Sequence, residues 1–311
     1  MERVAQKSLR WQSKAILLIV VPWTVANVFL QAHWWWLQVP VVAYETLGIS
    51  GIFGLIVWRL KAGTPAAAAT GAAITASLMF GTARPPYAWS WLHGELMPLL
   101  AVFLLTFVAT KVGRRKKETL GTGESKQGRN AAQVAANLGV AAIVSSIEPL
   151  TSSLAVDRSF TFGAILALAA LAEAAADTVS SEIGQVFGGT PRLLTSFRKV
   201  EAGTDGAVTL VGTLAGVVAA AVVAWIGIVR FASDWIIDSN GPGASVGIFF
   251  FLLCTGGGIS GLVFDSLLGA TAERRGWLNN DAVNFLSTLS APVFYLIYLI
   301  MYGLLFPRMR Y

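Results

Sequence analysis

Charged side chains are scarce in this chain, and their scarcity excludes a soluble domain. Asp, Glu, Lys and Arg make up only 13% of the 311 residues, whereas hydrophobic residues make up 55%. A soluble domain carries about 25% charged residues. Five segments run without charge for a length that can cross a bilayer: Ala15–Tyr44, Ala62–Ala83, Gly206–Val229, Ser239–Phe264 and Ala282–Pro307. The composition therefore predicts an integral membrane protein that is surrounded by the lipid bilayer.

Cysteine and histidine are almost absent, and their absence removes several kinds of chemistry. Cys254 is the only cysteine and lies within an apolar segment, which excludes an intrachain disulfide and disfavours a reactive thiolate. The two histidines, His33 and His93, fall at predicted outer boundaries. Walker A, HExxH and CxxC motifs are missing from the sequence. Zinc and serine-hydrolase chemistry are therefore not expected.

The apolar pattern predicts an all-α membrane protein, a polytopic bundle of about nine transmembrane helices. Four shorter apolar stretches complete the set of spans: Thr46–Trp58, Leu96–Thr110, Ala131–Ile147 and Ser159–Ala172. With a cytoplasmic N-terminus, most of the 23 Lys and Arg residues fall in inner segments, as the positive-inside rule requires. The net charge of +6 then reflects topology, and no nucleic-acid partner is expected. We expect a multi-pass protein of the cell (inner) membrane.

Charge and glycine content divide the chain into three parts. Residues 1–112 form an N-terminal transmembrane part, 113–130 form a basic cytoplasmic loop, and 131–311 form a transmembrane, catalytic-like part. The last part contains repeated hairpins at 159–229 and 245–306, and a third hairpin flanks the basic loop. The predicted topology turns the loops of all these hairpins toward the cytoplasm.

Four aspartates stand at the ends of the predicted spans. Asp205 opens DGAVTLVGTLAG and Asp281 opens DAVNFLSTLSAP, which align once Gly206 is omitted. Upstream of each lies a matching segment, ADTVSSEIG at Asp177 and FDSLLGAT at Asp265. A carboxylate beside a membrane-spanning helix is costly and usually has a function, although an Asp that opens a helix also caps its free N–H groups. The pattern predicts that each hairpin brings two aspartates to one membrane face.

Further carboxylates, cations and amides surround these aspartates in the sequence. The polar set comprises Glu173, Glu182, Asn130, Asn137, Asn280 and Asn284, and the cations are Arg192, Arg198, Lys199, Arg274 and Arg275. Helix-to-helix hydrogen bonding is the plainer explanation of the amides. Carboxylates that alternate with cations and glycines also suit a magnesium–phosphate site, because Mg²⁺ takes carboxylate and phosphate oxygens and Arg and Lys neutralise the remaining charge. We therefore hypothesise such a site.

Several motifs together resemble a known family. GRNAAQVAAN, ADTVSSEIG, PRLLTSFRKVEAGTDGAVTLVGTLAG, GLVFDSLLGAT and NNDAVNF are similar to segments of the integral membrane family that includes transmembrane protein 19 and plant phytyl-phosphate kinase (domain of unknown function 92). The similarity covers roughly residues 130–292, and the first ninety residues match only as generic spans. More weakly, the ADT-to-GTDG arrangement resembles the CTP-dependent polyprenol kinases and phosphatidate cytidylyltransferases.

The resemblance implies a kinase that converts an isoprenoid monophosphate to its diphosphate with a nucleotide triphosphate: CTP, UTP or ATP. The motif positions that would line its site are Asp177, Glu182, Arg198, Lys199, Asp205, Asp265, Asn280, Asp281 and Asn284. We assign catalysis and Mg²⁺ binding to the four aspartates, with Asp177 and Asp205 on the first ion. Arg192, Arg198 and Lys199 would bind phosphates, and Arg274 and Arg275 would assist them.

Two other functions remain open from the sequence. A cytidylyltransferase that forms a CDP-lipid would use similar residues and release pyrophosphate instead of a nucleoside diphosphate. A transporter is also built from repeated hairpins with polar helix ends. The acidic groups here cluster toward one face and not at the bilayer midplane, which favours an enzyme over a transporter.

Overall fold

The structure, a computed structural model, describes residues 9–83, 87–92, 94–123, 125, 127–151, 162–237 and 243–305. These described residues form ten α-helices: α1 (Arg10–Gln38), α2 (Pro40–Arg59), α3 (Pro65–Gly81), α4 (Leu96–Lys111), α5 (Arg114–Thr119), α6 (Ala131–Thr151), α7 (Phe162–Phe187), α8 (Leu210–Ile237), α9 (Gly243–Leu268) and α10 (Asn280–Leu305). A 3-10 turn lies at Ser90–Leu92, and a π-helical turn at Gly269–Glu273 continues α9. Two short antiparallel strands, β1 (Arg192–Leu193) and β2 (Ala207–Val208), pair in the α7–α8 connection.

Six of the described helices are long and apolar enough to cross a membrane. They are α1, α2, α7, α8, α9 with its π-helical turn, and α10. Three shorter apolar helices, α3, α4 and α6, accompany them. The predicted all-α polytopic fold is confirmed, and the count of about nine spans stays a prediction.

The first predicted span, Ala15–Tyr44, is divided in the structure. α1 ends at Gln38, and α2 begins at Pro40 after a single residue, Val39, outside helical geometry. Proline suits the first position of a helix because its missing N–H has no partner there. The stretch Thr46–Trp58 is therefore the later part of α2 and not a separate short span.

α7 lies at the centre of the bundle, where α4, α6, α8, α9 and α10 surround it. Its alanine-rich segment from Gly163 to Ala176 is buried on all sides. Small side chains let neighbouring backbones approach closely, which is how helices associate without a hydrophobic driving force inside a bilayer. At Gly216 of α8, for example, an added Cβ would lie 2.7 Å from the Ala176 carbonyl oxygen. Asp177 follows this segment directly, so close packing fixes its position.

Four connections lie together on one side of the bundle, which we call the loop face: 60–64, 112–130, 188–209 and 269–279. Hydrogen bonds join them to each other and to helix ends. Thr64 N donates to Arg129 O at 2.9 Å, and Asn279 N donates to Gln12 Oε1 near the start of α1 at 2.8 Å. The hairpin loops therefore share a side, as predicted, and their cytoplasmic orientation stays a prediction.

The predicted three-part division also stays a prediction, and its parts are in close contact. α3 packs against α6, and α4 packs against α7. The start of the hairpin at 159–229 and the end of the hairpin at 245–306 lie outside the described residues. Their described portions correspond to α7–α8 and α9–α10.

Candidate functional site

A polar cavity of about 490 Å³ lies at the loop face. The ends of α6, α7, α9 and α10 form its inner wall, and the connections before α6 and α8 form its outer wall. Seven of the predicted site residues line it: Asn137, Asp177, Glu182, Asp205, Asp265, Asn280 and Asn284. Three of the four aspartates therefore contribute to one cavity.

Asp177 and Asp265 form an interacting acidic pair in this cavity. Asp177 lies in the last turns of α7 and Asp265 in the last turn of α9, and their carboxyl groups are within hydrogen-bonding range of each other. Asp265 Oδ1 is buried, and none of the described residues donates a hydrogen bond to it. Two ionised carboxylates this close repel each other unless a proton or a cation lies between them. The pair is therefore suited to bind a cation.

Asp205 faces this pair from the α7–α8 connection. The next residue, Gly206, has φ +69°, and an added Cβ there would lie 2.0 Å from Ala270 N in the π-helical turn. Only glycine allows this approach, which holds the Asp205 loop against the end of α9. Glu273, the last residue of the π-helical turn, also lines the cavity and interacts electrostatically with Asp205 and Asp177. Glu273 was not predicted from the sequence as a site residue. It ends a π-helical turn, and such turns often mark functional sites.

Arg129 is the cation among the described lining residues of the polar cavity, and it was not predicted as a site residue. Its Nη2 donates to Thr178 Oγ1 at 3.3 Å, and its charge interacts favourably with Asp177. Its backbone is anchored to the α2–α3 turn, where its N–H donates to Ala62 O at 3.0 Å. One sequence signal could have identified Arg129 as a site residue: it lies directly before the Asn130 helix cap, within the motif GRNAAQVAAN.

The predicted amides divide into two groups. Asn284 Nδ2 on α10 donates to Asn137 Oδ1 on α6 at 3.4 Å, and both residues line the cavity. Asn130 instead caps α6, because its Oδ1 accepts from Gln133 N at 3.0 Å while its own N–H donates to Gln133 Oε1. This reciprocal arrangement is a capping box, and Asn130 lies outside the described cavity lining.

The remaining predicted carboxylates have different surroundings. Glu182 lines the cavity and accepts hydrogen bonds from Lys117 Nζ and from Thr110 Oγ1. Glu173 lies one turn deeper in α7, where its buried carboxylate accepts from Thr288 Oγ1 at 2.6 Å. Asp281, in the first turn of α10, accepts from Ser13 Oγ of α1 at 2.6 Å. Within the described structure, Glu173 and Asp281 do not line the cavity.

The five predicted phosphate-binding cations are exposed on the loop face, outside the described lining of the cavity. Arg192 is in β1, and Arg198 and Lys199 follow it in the same connection. Arg192 Nη1 donates to Phe197 O at 3.0 Å. Arg274 and Arg275 follow the π-helical turn, and the Arg275 guanidinium lies 5.0 Å from the centre of the Trp277 ring. Their role toward phosphate stays a prediction.

The described carboxylates meet only part of what would hold the implied Mg²⁺ ion. No group of three or more His, Cys, Asp or Glu side chains among the described residues is arranged to hold a metal ion, so the four aspartates do not form one ligand set. Mg²⁺ commonly keeps several waters and takes one or two protein carboxylates together with phosphate oxygens. Asp177 and Asp265 fit that smaller requirement, because they provide two carboxylates and no described residue donates a hydrogen bond to Asp265 Oδ1.

Known proteins provide three informative relatives. An uncharacterized membrane protein of Methanocaldococcus jannaschii, MJ0933, is 35% identical over 195 residues, which are 62% of this chain and 71% of that protein. The chloroplastic protein VTE6 of Arabidopsis thaliana is 31% identical over 192 residues, which are 60% of this chain and 53% of that protein. Protein PGR of the same plant is 30% identical over an alignment of 227 positions that covers 61% of this chain and 76% of that protein. This chain thus spans about half the length of VTE6, and no solved structure matches it.

A profile of the integral membrane protein family DUF92 matches residues 48–292. The match extends further toward the N-terminus than the motifs recognised in the sequence, and it includes the later part of α2 and all of α3. It contains the carboxylate pair, Asp205 and Arg129. The resemblance inferred from the motifs is confirmed: the chain belongs to the integral membrane protein family DUF92.

Proposed function

We propose that this protein is a membrane-embedded kinase that transfers a phosphoryl group from a nucleoside triphosphate to an isoprenoid monophosphate. The products are the isoprenoid diphosphate and a nucleoside diphosphate. One observation carries the proposal: Asp177 and Asp265 form a close acidic pair inside a polar cavity at one end of a membrane bundle. The family resemblance, which includes plant phytyl-phosphate kinase, supports the same substrate class.

The described lining of the cavity contains no histidine, and the proposed reaction does not need one as a general base. The second pKa of a phosphate monoester is about 6, so the acceptor is already mostly dianionic at neutral pH. It attacks the γ-phosphorus, and the bond from that phosphorus to the β–γ bridging oxygen breaks. Catalysis of such a transfer rests on positioning and on charge neutralisation. No side chain needs to remove a proton from the acceptor.

Asp177 and Asp265 would hold Mg²⁺, which when bound neutralises phosphate oxygens and aligns the nucleotide. Asp205 in the α7–α8 connection and Glu273 at the end of the π-helical turn also line the cavity and would orient waters around the ion. Arg129 presents planar N–H donors that suit phosphate oxygens. The amides of Asn137 and Asn284 supply uncharged donors deeper in the cavity. We propose that the loop face is cytoplasmic, where nucleotides are available.

The test is turnover by purified protein in lipid nanodiscs. Phytyl or geranylgeranyl monophosphate is supplied with Mg²⁺ and CTP, UTP or ATP, and products are identified by mass spectrometry. We expect isoprenoid diphosphate together with a nucleoside diphosphate. Release of pyrophosphate with a CDP-lipid would indicate a cytidylyltransferase, and nucleotide-independent ion flux without product would indicate a transporter. Either result would reject the kinase.

Matched variants test the assignment of the acidic pair. Asp177→Asn and Asp265→Asn keep the side-chain shape and remove one charge each, and we expect each to reduce kcat at least ~100-fold, the scale of one lost electrostatic contact in a transition state. Glu118→Gln is the control, because Glu118 is exposed on α5 in an ion pair with Arg114. Turnover by either Asp variant at the wild-type rate would reject the site.

A further inference from the structure

A second, apolar cavity of about 90 Å³ lies between α2, α3, α4 and α6, next to the polar one. Most of its wall is hydrocarbon, supplied by Phe53, Val57, Phe103, Phe107 and Leu138 among others. The ring centres of Phe53 on α2 and Phe103 on α4 are 5.2 Å apart in an edge contact. We call this space the aromatic cleft.

The aromatic cleft adjoins the polar cavity through two shared residues. Arg129 and Asn137 line both spaces. Arg129 thus lies where hydrocarbon walls give way to the carboxylates and amides of the polar cavity. An arrangement of this kind matches an amphiphile that has an apolar chain and an anionic head.

The outward sides of the two helices that carry these aromatic rings are apolar and exposed. Ile52 and Ile56 of α2 and Leu104 and Val108 of α4 are exposed there, which in a membrane protein means contact with lipid tails. The helices that supply Phe53 and Phe103 to the cleft therefore also border the bilayer.

We propose that the aromatic cleft binds the phosphate-proximal isoprenoid units of the acceptor lipid, with its phosphate against Arg129. This inference rests on the proposed kinase function and adds the location of its lipid substrate. Lipid tails are as apolar as the cleft, so entry gains little hydrophobic free energy. The cleft determines the position and shape of the isoprenoid chain, and Arg129 attracts its phosphate.

Filling the cleft tests the proposal. Gly71 of α3 lines it, and a Cβ added there would meet only Val134 Cγ1, at 4.0 Å. Gly71→Leu should therefore fold and occupy the space of the lipid chain. Gly51→Leu on α2 is the matched control, because Gly51 is exposed and an added Cβ there has no neighbour within 4 Å.

Comparing the acceptor lipid with the nucleotide separates the cleft from the chemistry. We expect Gly71→Leu to lower kcat/KM for geranylgeranyl monophosphate by ~10-fold or more, the scale of a steric mismatch in an apolar pocket. The KM for nucleotide should stay within ~2-fold of wild type, whereas a five-carbon prenyl monophosphate, which contains only the phosphate-proximal unit, should lose kcat/KM by a similar factor to geranylgeranyl monophosphate. Gly51→Leu should match wild type with both acceptors. Equal kinetics of Gly71→Leu and Gly51→Leu would overturn the proposal.

A photoaffinity measurement gives a readout that does not depend on turnover. A prenyl monophosphate with a diazirine on its first isoprenoid unit is irradiated with the wild-type protein in nanodiscs, and labelled peptides are mapped by mass spectrometry. We expect labels on α2, α4 and α6, weakened by Gly71→Leu and by unlabelled prenyl monophosphate. Labels confined to other helices, or equal competition by phosphatidic acid, would overturn the proposal.

The two measurements separate this inference from the proposed function. Specific labelling of the cleft without any diphosphate product would support the lipid site and reject the kinase. Diphosphate formation with labels elsewhere would support the kinase and reject the cleft as its acceptor site.

Discussion

Lys117 of α5 donates a hydrogen bond from its Nζ to Glu182 Oε2 of α7, and this buried ion pair joins the basic connection to the wall of the polar cavity. The Lys117 side chain is 2% exposed and the Glu182 side chain 18%. Lys117 Nζ also donates to the Ala109 and Thr110 carbonyl oxygens at the end of α4. Lys117 belongs to the segment predicted as a basic cytoplasmic loop, 113–130, and in the structure it makes a buried structural contact.

Removing one partner of this ion pair should destabilise the protein. Lys117→Met leaves Glu182 without its cation, and breaking a buried pair in this way costs ~3–5 kcal/mol. The exposed Arg114–Glu118 pair on the same helix provides the control, because Arg114→Met should cost less than ~1 kcal/mol. Thermal unfolding in detergent measures both. A similar melting temperature for the two variants would contradict a structural role for Lys117.

Magnesium should stabilise the folded protein through the acidic pair. A ligand that binds only the native state at 100 times its dissociation constant adds ~2.7 kcal/mol, so Mg²⁺ should raise the melting temperature of wild type and EDTA should reverse the rise. Asp265→Asn should lose most of this response, whereas Glu118→Gln should keep it. A rise of equal size in Asp265→Asn would show that the ion binds elsewhere.

Arg129 should act on the acceptor through its planar guanidinium. Arg129→Lys keeps the positive charge and loses the forked donor geometry, and Arg129→Met also loses the charge. We expect the KM for prenyl monophosphate to rise in the order wild type, Lys, Met, with a rise of ~10-fold or more for Met, since a hydrogen bond to a charged group contributes ~1.5–3 kcal/mol. Steady-state kinetics at saturating nucleotide measure this order. A change confined to the nucleotide KM would assign Arg129 to the donor instead.

Glycine should be essential at position 206 for a steric reason. Gly206 and Gly276 both have positive φ, +69° and +71°, so alanine at either position carries a strain of ~1–2 kcal/mol. Only at Gly206 would the new Cβ also collide with the π-helical turn, 2.0 Å from Ala270 N, since Gly276 has open space around it.

We therefore expect Gly206→Ala to displace Asp205 and abolish most turnover, while Gly276→Ala keeps turnover near wild type. Turnover assays on protein that elutes as a single peak in size-exclusion chromatography check both. Equal loss in the two variants would indicate that backbone strain alone, and not the contact with the end of α9, governs this loop.

Much of the fold could be predicted from local patterns. Apolar runs, charged loops and the polar residues at helix ends indicated a polytopic helical bundle with its hairpin loops on one side. Local patterns failed where the helix is interrupted at a single residue. The predicted span Ala15–Tyr44 contains a break at Val39, and Pro40 is the sequence signal of that break. The strand pair at 192–193 and 207–208 was also missed, because two-residue strands carry too little alternation to detect.

The site was only partly predictable. The motifs identified Asp177, Asp205 and Asp265 as candidates, and all three line the cavity. The internal repeat suggested that Asp281 is equivalent to Asp205, but in the structure Asp281 bonds to Ser13 of α1 instead. The similarity between the two hairpin sequences carries no information about α1, which packs against only one of the hairpins.

By itself, the sequence determined membrane insertion, the succession of helices and loops, and the placing of carboxylates at helix ends, because each depends on hydropathy and charge within a short stretch of chain. Tertiary structure alone decided that Asp177 meets Asp265, that Arg129 joins the polar cavity to the aromatic cleft, and that the predicted phosphate-binding cations lie outside the cavity lining. Those relationships depend on how α7 packs against α6 and α9, and that packing is set by small residues whose close contacts a single sequence does not specify.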